Sequence, residues 1–218
     1  DVAVYQLTMA GCPPIIGYES QVPAVSKYCS AFNQRVLEEI PNLKKGGLEA
    51  VVISGRWPSY LWQRALAVSQ PQLNGVGDPE KLAGARANMQ KMFDETLSMF
   101  ERAGLRVLVL TPNPELVYPP LQCIGMGRGA YCNVPRSVSE TLVGDPAAAL
   151  AEVVGRHPNV RLAQLMDFFC DDKTCFAARD GKILYLDEDH ITATAARGLA
   201  GFLRADLNWL LGKPDSTN

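Results

Sequence analysis

The chain has 218 residues, of which 47% are apolar and 20% charged, a composition typical of a soluble globular protein. Its formal net charge is −2 and no block of like charges occurs, which argues against nucleic acid or an anionic membrane as the main partner. No apolar run approaches the roughly 20 residues that a membrane-spanning helix needs.

The first half of the sequence alternates between strand and helix patterns. Alternating or continuous apolar runs predict strands, and apolar residues at helical spacing predict helices. The predicted elements are, in chain order, a strand at 2–7, a helix at 23–40, a strand at 48–54, a short helix after residue 56, a long helix at 78–104 and a strand at 105–112. Asp78 followed by Pro79 is a typical helix start, and Gly104 is a typical helix end.

The second half continues the alternation after a long loop rich in proline and glycine at 112–144. The pattern predicts a helix starting at Asp145-Pro146, a strand at 159–167, a small β-excursion at 170–185 and one closing helix at 192–211. Apolar strands alternating with helices predict an α/β fold with a mostly parallel sheet covered on both faces. Without repeats, low-complexity segments or linkers, residues 1–218 are predicted to be a single domain.

The cysteine pattern predicts disulfides rather than a metal site. None of the six cysteines lies in a CxxC pair, and with only two histidines no convincing zinc set exists, so we predict no metal and no cofactor. Two pairs lie in polar loops, where a crosslink replaces a missing core. We favour the pairs Cys12–Cys29, Cys123–Cys132 and Cys170–Cys175, which would place the chain in an oxidising compartment. The alternative is six reduced, buried cysteines in a cytosolic enzyme.

The segment YLDEDHITATA, residues 185–195, contains the most suggestive polar pattern. His190 could move a proton near neutral pH, and Asp187 could orient its imidazole. Asp189 is expected to face elsewhere. The spacing alone equally allows Asp187 or Asp189 to cap the last helix, with His190 a surface residue. The other histidine, His157, lies between a helix and a strand and is predicted to be a surface or helix-capping residue.

A longer stretch around this pattern, DGKILYLDEDHITATAA, resembles the final sequence block of the SGNH/GDSL hydrolases. More narrowly, it resembles the periplasmic SGNH domains fused to the membrane acyltransferase-3 domain of bacterial polysaccharide O-acetyltransferases. The segments YQLTMAGCPPIIG, VVISGRW and DFFCDDKTCFAARDGK resemble further motifs of that subfamily, in the same order.

The resemblance implies a flavodoxin-like three-layer α/β/α sandwich and assigns roles to particular residues. It makes His190 the general base and Asp187 the residue that orients it. Gly11 corresponds to a glycine whose backbone N–H stabilises the oxyanion. Arg56 lies near the position of another such donor and is a candidate for oxyanion or substrate binding, with a structural ion pair as the alternative. Trp57 is a candidate for stacking on a sugar, with a core position as the alternative.

The sequence lacks the Gly-Asp-Ser block that carries the nucleophile in this family. The resemblance implies that the serine and a central first strand lie upstream of residue 1, and therefore that residues 1–218 would not be stable alone. Ser54 is a weak local substitute because the Gly-x-Ser-x-Gly turn is absent. Cys12 is weaker still, because a disulfide would remove its thiolate.

The resemblance therefore predicts transfer of an acetyl group to hydroxyls of a cell-surface polysaccharide through a serine acyl-enzyme. The expected partners are a carbohydrate acceptor and an acyl-delivering transmembrane domain in the same parent chain, and not nucleic acid. The expected location is the periplasm, tethered to the inner membrane through an upstream segment. The alternatives are an esterase or lipase, with water as the acceptor, and a non-catalytic glycan-binding module.

Overall fold

The computed structural model describes residues 2–18, 23–61, 79–125 and 132–214. Its helices, in chain order, are α1 (Pro23–Lys45), α2 (Trp57–Leu61), α3 (Pro79–Arg102), α4 (Pro120–Gly125), α5 (Arg136–Val154), α6 (Met166–Phe169), α7 (Ala193–Phe202) and α8 (Arg204–Leu210). Its strands are β1 (Ala50–Ile53), β2 (Arg106–Leu110), β3 (Val134–Pro135), β4 (Val160–Ala163), β5 (Thr174–Cys175), β6 (Ala178–Arg179) and β7 (Lys182–Ile183). None of the helices described is both long and apolar enough to cross a membrane.

The main sheet is parallel, with the strand order β1-β2-β4. Leu108 of β2 lies in register with Val52 on one side and Arg161 on the other. Parallel strands need helical crossovers, and α3 and α5 supply them along the chain. The α/β class predicted from the sequence is confirmed.

Both faces of the sheet are covered, as the alternation along β2 shows. Val107 and Val109 point into a core formed with α1, α2, α3 and α5, whereas Leu108 points into a second core formed with α7, α8 and the β-excursion. All three side chains are fully buried. Removing each from water contributes about 1.5–3 kcal/mol, which is why an uninterrupted apolar run occupies this central strand.

The excursion after β4 takes part in two small antiparallel pairs: its β5 pairs with the earlier β3, and its β6 pairs with its β7. Disulfides hold the loops that lack a sheet of their own. Cys170 bonds to Cys175 within the excursion, Cys123 bonds to Cys132 beside it, and Cys12 bonds to Cys29 of α1. These are the three pairings favoured from the sequence, and all six cysteines are used.

The predicted first strand is wrong. Residues 2–7 have no regular structure, and Val2, Val4 and Tyr5 are exposed, Val4 to 85%. A strand requires a partner for its backbone N–H and C=O groups. Within the described part of the chain, no other strand pairs with this segment.

Helix boundaries also differ from the sequence prediction. α5 begins at Arg136 rather than at Asp145-Pro146, so Pro146 lies inside a helix and much of the predicted loop is helical. An ion pair between Arg136 and Glu140, 2.9 Å apart, supports the first turn. The closing helix is interrupted at Leu203, which separates α7 from α8. The predicted cap Asp78 lies outside the described residues.

Candidate functional site

The loops after β1 and β2 hold the segment that contains Asp187 and His190. The backbone N–H of Leu116 donates to the carbonyl of Glu188 at 2.7 Å, and the side-chain amide of Asn113 donates to the carbonyl of Asp189 at 3.0 Å. A bridge between Tyr185 and Ile191 closes the segment into a loop. The site therefore lies at the carboxyl end of the sheet, where parallel α/β folds usually place their functional groups.

Asp187 and His190 contact each other directly. Asp187 Oδ2 lies 2.8 Å from His190 Nδ1, while Asp187 Oδ1 accepts the backbone N–H groups of His190 at 2.7 Å and of Asp189 at 3.0 Å. The loop thus fixes the carboxylate before it meets the imidazole. Thr192 caps α7 by accepting the N–H of Ala195 at 3.0 Å, so the alternative in which an aspartate caps this helix is wrong.

The same contacts decide the charge of Asp187. Partial burial acts to raise its pKa, but the backbone N–H groups of His190 and Asp189 outweigh it and lower the pKa to about 2. Asp187 is therefore ionised at neutral pH. An ionised carboxylate at Nδ1 favours the tautomer whose other nitrogen, Nε2, can accept a proton.

His190 is open to solvent on its other side. Its side chain is 73% exposed, and Nε2 has no hydrogen-bond partner among the residues that the structure describes. The imidazole is thus oriented from one nitrogen and available at the other, which is the arrangement a general base requires.

A second set of charged residues adjoins the pair. The Arg56 guanidinium lies with Nε 2.6 Å from Asp189 Oδ2 and donates from Nε and Nη2 to Glu115 at 3.0 and 3.3 Å. Asp189 Oδ1 also lies 3.1 Å from His190 Nδ1, so the expectation that Asp189 faces elsewhere is wrong. No sequence pattern points to Glu115, which is 59 residues from Arg56 and meets it only through the parallel pairing of β1 and β2.

Trp57 lies in the hydrophobic core. It is fully buried, its Nε1 donates to the carbonyl of Leu110 at 2.8 Å, and its ring meets Phe93 edge-on with centroids 5.3 Å apart. The prediction that Trp57 stacks on a sugar is therefore wrong, because a ring with no exposed surface cannot contact a sugar.

Gly11 lies in an exposed turn next to the disulfide-bonded Cys12, with a φ of +72° that favours glycine. No described contact joins Gly11 to the His190 cluster. Cys12 has no thiolate and cannot be a nucleophile. Ser54 is exposed after β1, and no hydrogen bond in the described structure joins it to His190.

Asp187, Asp189 and His190 could each offer one ligand atom to a metal, all within 4.8 Å of one another. However, both carboxylates already contact the imidazole Nδ1, and Arg56 places a positive charge 2.6 Å from Asp189. A cation at this position would be repelled by the guanidinium. We assign no metal to this cluster.

Comparison with known proteins identifies the family of the chain. The family described as the SGNH domain fused to AT3 domains matches residues 1–205, and the chain belongs to this family. Its structure is similar to that of the lipopolysaccharide acetyltransferase periplasmic domain of Salmonella ser. Paratyphi A, with a TM-score of 0.60 and 15% sequence identity over 90% of this chain and 69% of that chain. At that identity the likeness shows the fold alone. No curated protein matches the chain.

Proposed function

We propose that this SGNH domain transfers an acyl group, and specifically acetyl, to hydroxyls of a cell-surface polysaccharide through a serine acyl-enzyme. The observation that carries the proposal is the orientation of His190, held at Nδ1 by Asp187 at 2.8 Å and unengaged at Nε2 among the described residues. Membership of the SGNH family supports it.

In the proposed reaction, His190 Nε2 takes the proton of a serine hydroxyl as the serine oxygen attacks the acetyl carbonyl. The bond between the acetyl carbonyl and the leaving group of the donor then breaks, and the imidazolium gives its proton to that leaving group, which leaves the serine acetylated. In the second half, Nε2 takes the proton of a sugar hydroxyl while its oxygen attacks the acetyl-serine. The proton returns to the serine as the sugar ester forms.

The serine in this proposal is not one of the described side chains. No described serine contacts His190, and the Gly-Asp-Ser block does not occur within residues 1–218. We propose that the serine belongs to a segment of the parent polypeptide upstream of residue 1. Gly11 remains a proposed oxyanion donor. Arg56, whose side chain is partly exposed, remains a proposed substrate-binding residue beside its ion pairs.

The proposed partners follow from the family. Its SGNH domains are fused to AT3 domains, which supports an acyl-delivering membrane domain in the same parent chain. The three disulfides support an oxidising compartment. We propose a periplasmic domain tethered to the inner membrane, with a carbohydrate acceptor.

Hydrolysis of acyl esters is the second candidate function. The 73% exposure of the His190 side chain favours it, because water reaches the general base freely in this structure. Transfer requires that the acceptor hydroxyl replace water at Nε2. The two functions therefore differ in which molecule, water or the acceptor hydroxyl, donates its proton to Nε2. The roles of Asp187 and His190 are the same in both.

The test uses the intact protein and a soluble acetyl ester, with and without added glycan. Acetylated glycan supports transfer, and release of acetate alone supports the esterase. Neither product, from a folded protein, would favour the non-catalytic glycan-binding module and reject both enzymatic proposals. His190→Ala provides the background rate in each case.

We also propose that residues 1–218 are one SGNH domain completed by a strand from outside them. β1 is at the edge of the described sheet, its Val52 is half exposed, and the apolar segment 2–7 pairs with no strand among the described residues. An additional strand on β1 would cover this edge, at about 25 cal/mol per Å² of apolar area buried. Residues 1–218 alone should then melt without cooperativity, and the longer protein cooperatively. Cooperative melting of monomeric residues 1–218 would reject the proposal.

A further inference from the structure

We propose that Asp189 is a second positioning carboxylate for His190, held in place by Arg56 and Glu115. This inference rests on the proposed role of His190 as the general base. It goes beyond the Asp-x-x-His pattern of the sequence, which assigns that task to Asp187 alone.

The imidazole Nδ1 faces both carboxylates. Asp187 Oδ2 lies 2.8 Å from Nδ1 and Asp189 Oδ1 lies 3.1 Å from it, so one N–H can be shared between two acceptors. A ring held by two acceptors on different residues has less freedom to rotate than a ring held by one.

The two carboxylates differ in how firmly they are held. The Asp187 side chain is 42% exposed and is fixed by N–H groups of its own loop. The Asp189 side chain is 12% exposed, and its other oxygen, Oδ2, contacts Arg56 at 2.6 Å. Asp187 thus sets the local turn, whereas Asp189 connects the imidazole to the sheet.

The connection runs through residues in the segments that follow two neighbouring strands. Arg56 follows β1 and Glu115 follows β2, and the guanidinium contacts Glu115 through two nitrogens. Asn113 fixes the Asp189 backbone by donating to its carbonyl at 3.0 Å. Paired, hydrogen-bonded ions of this kind hold a single geometry better than an isolated carboxylate does.

Arg56 also favours the charged form of Asp189. Burial raises the pKa of Asp189, and the neighbouring Asp187 adds to that rise; the adjacent guanidinium acts in the opposite direction and limits it. Arg56 therefore acts on His190 through Asp189 in this proposal, as a positioning residue. The Arg56 side chain is partly exposed, so it remains accessible for the proposed contact with substrate.

The test compares Asp189→Asn with Glu188→Gln in the intact protein. Both variants remove one negative charge from adjacent positions, but no side-chain contact of Glu188 is described in this structure. D189N should lower kcat about tenfold with KM unchanged, the effect of losing one hydrogen bond to a charged group. E188Q should retain wild-type kcat.

A second readout does not depend on turnover. Diethyl pyrocarbonate modifies neutral imidazole, and peptide mapping separates His190 from His157. Because D189N loses the carboxylate that holds Nδ1, the ring should be less restrained and that nitrogen more accessible to the reagent, so the modification rate of His190 should rise by about two- to threefold, a modest change suited to an exposed ring. E188Q should change it less. Arg56→Lys, which keeps the charge but loses the two-nitrogen contact, should give an intermediate rate.

The two readouts separate this inference from the proposed function. Suppose that the wild-type protein has no acyl-transfer or esterase activity, but His190 is still modified faster in D189N. The positioning of His190 by Asp189 is then supported, and the proposed function is rejected. If D189N matches E188Q in modification rate and kcat, Asp189 does not position His190 and the inference is overturned. If D189N does not fold, the modification rate of His190 in R56K is the test. A rate equal to that of wild type would overturn the inference.

Discussion

The two histidines of the chain each face two carboxylates, yet their surroundings are opposite. The His157 side chain is 6% exposed, with Nδ1 2.7 Å from Glu101 and Nε2 3.3 Å from Asp94. The His190 side chain is 73% exposed, and both of its carboxylate contacts fall on Nδ1. A histidine engaged at both nitrogens connects structural elements, whereas one engaged at a single nitrogen can still exchange a proton.

His157 connects α3 to the turn that precedes β4. Glu101 of α3 accepts the imidazole contact and also the backbone N–H of Asn159 at 2.9 Å. Asp94 of α3 contacts both the imidazole and Arg156. The sequence prediction of a surface or helix-capping histidine is therefore wrong, because its partners lie more than 50 residues earlier in the chain.

The same substitution at both histidines tests the comparison most strongly. His190→Gln should lower the rate of acyl transfer or ester hydrolysis by about 10³–10⁴-fold, because no other described group can accept the serine proton in place of Nε2. His157→Gln should leave the rate per folded molecule unchanged. Initial rates on a soluble acetyl ester measure both. Equal losses in the two variants would contradict the distinction between them.

Asp187→Asn should have the next largest effect. The amide keeps the shape of the carboxylate but removes the charge that favours the imidazolium and fixes the tautomer. We expect kcat to fall by about 10²–10³-fold, less than for H190Q because the general base itself remains. A rate within a factor of about two of wild type would show that Asp187 is dispensable.

His157→Gln should instead reduce stability. Gln can satisfy only one of the two carboxylate contacts of the buried His157 side chain, which should lower the free energy of unfolding by about 1–2 kcal/mol. In the intact protein, for a domain of about this size, that is a decrease in Tm of about 2–8 °C. H190Q is the matched control and should keep the wild-type Tm, since its ring is exposed. A larger decrease in H190Q would reverse the assignment of the two sites.

A smaller effect concerns acid stability. The pKa of Asp187 is near 3.8 ordinarily and about 2 in the folded chain, so the folded state is stabilised above pH 4 and loses that contribution as pH falls toward 2. The Tm difference between wild type and D187N should therefore shrink between pH 5 and pH 2. Its half-exposed side chain makes this a small difference. A constant difference across this range would contradict the lowered pKa.

What the sequence predicts well depends on local pattern. The run RVLVL predicted β2 because burial on both faces selects consecutive apolar residues. The Asp187–His190 contact was suggested by its three-residue spacing. Cysteine pairs close in sequence were joined correctly, since short loops limit the available partners.

What the sequence misses depends on pairing across the fold. Arg56 and Glu115 meet only because β1 and β2 are neighbours, and His157 meets α3 only through tertiary packing. The apolar alternation of residues 2–7 predicted a strand, but periodicity cannot supply the partner that a strand requires. The Asp145-Pro146 pair predicts a helix start, but it lies inside helix α5, which begins at Arg136.

The central claim is that His190 activates a serine, and covalent labelling of the intact protein tests it most directly. A fluorophosphonate reacts with an activated serine, and peptide mapping identifies that serine. The account predicts one labelled serine, outside residues 1–218, in wild type, and a loss of labelling in His190→Gln. Equal labelling of both proteins, or no labelled serine in folded wild type, would contradict it.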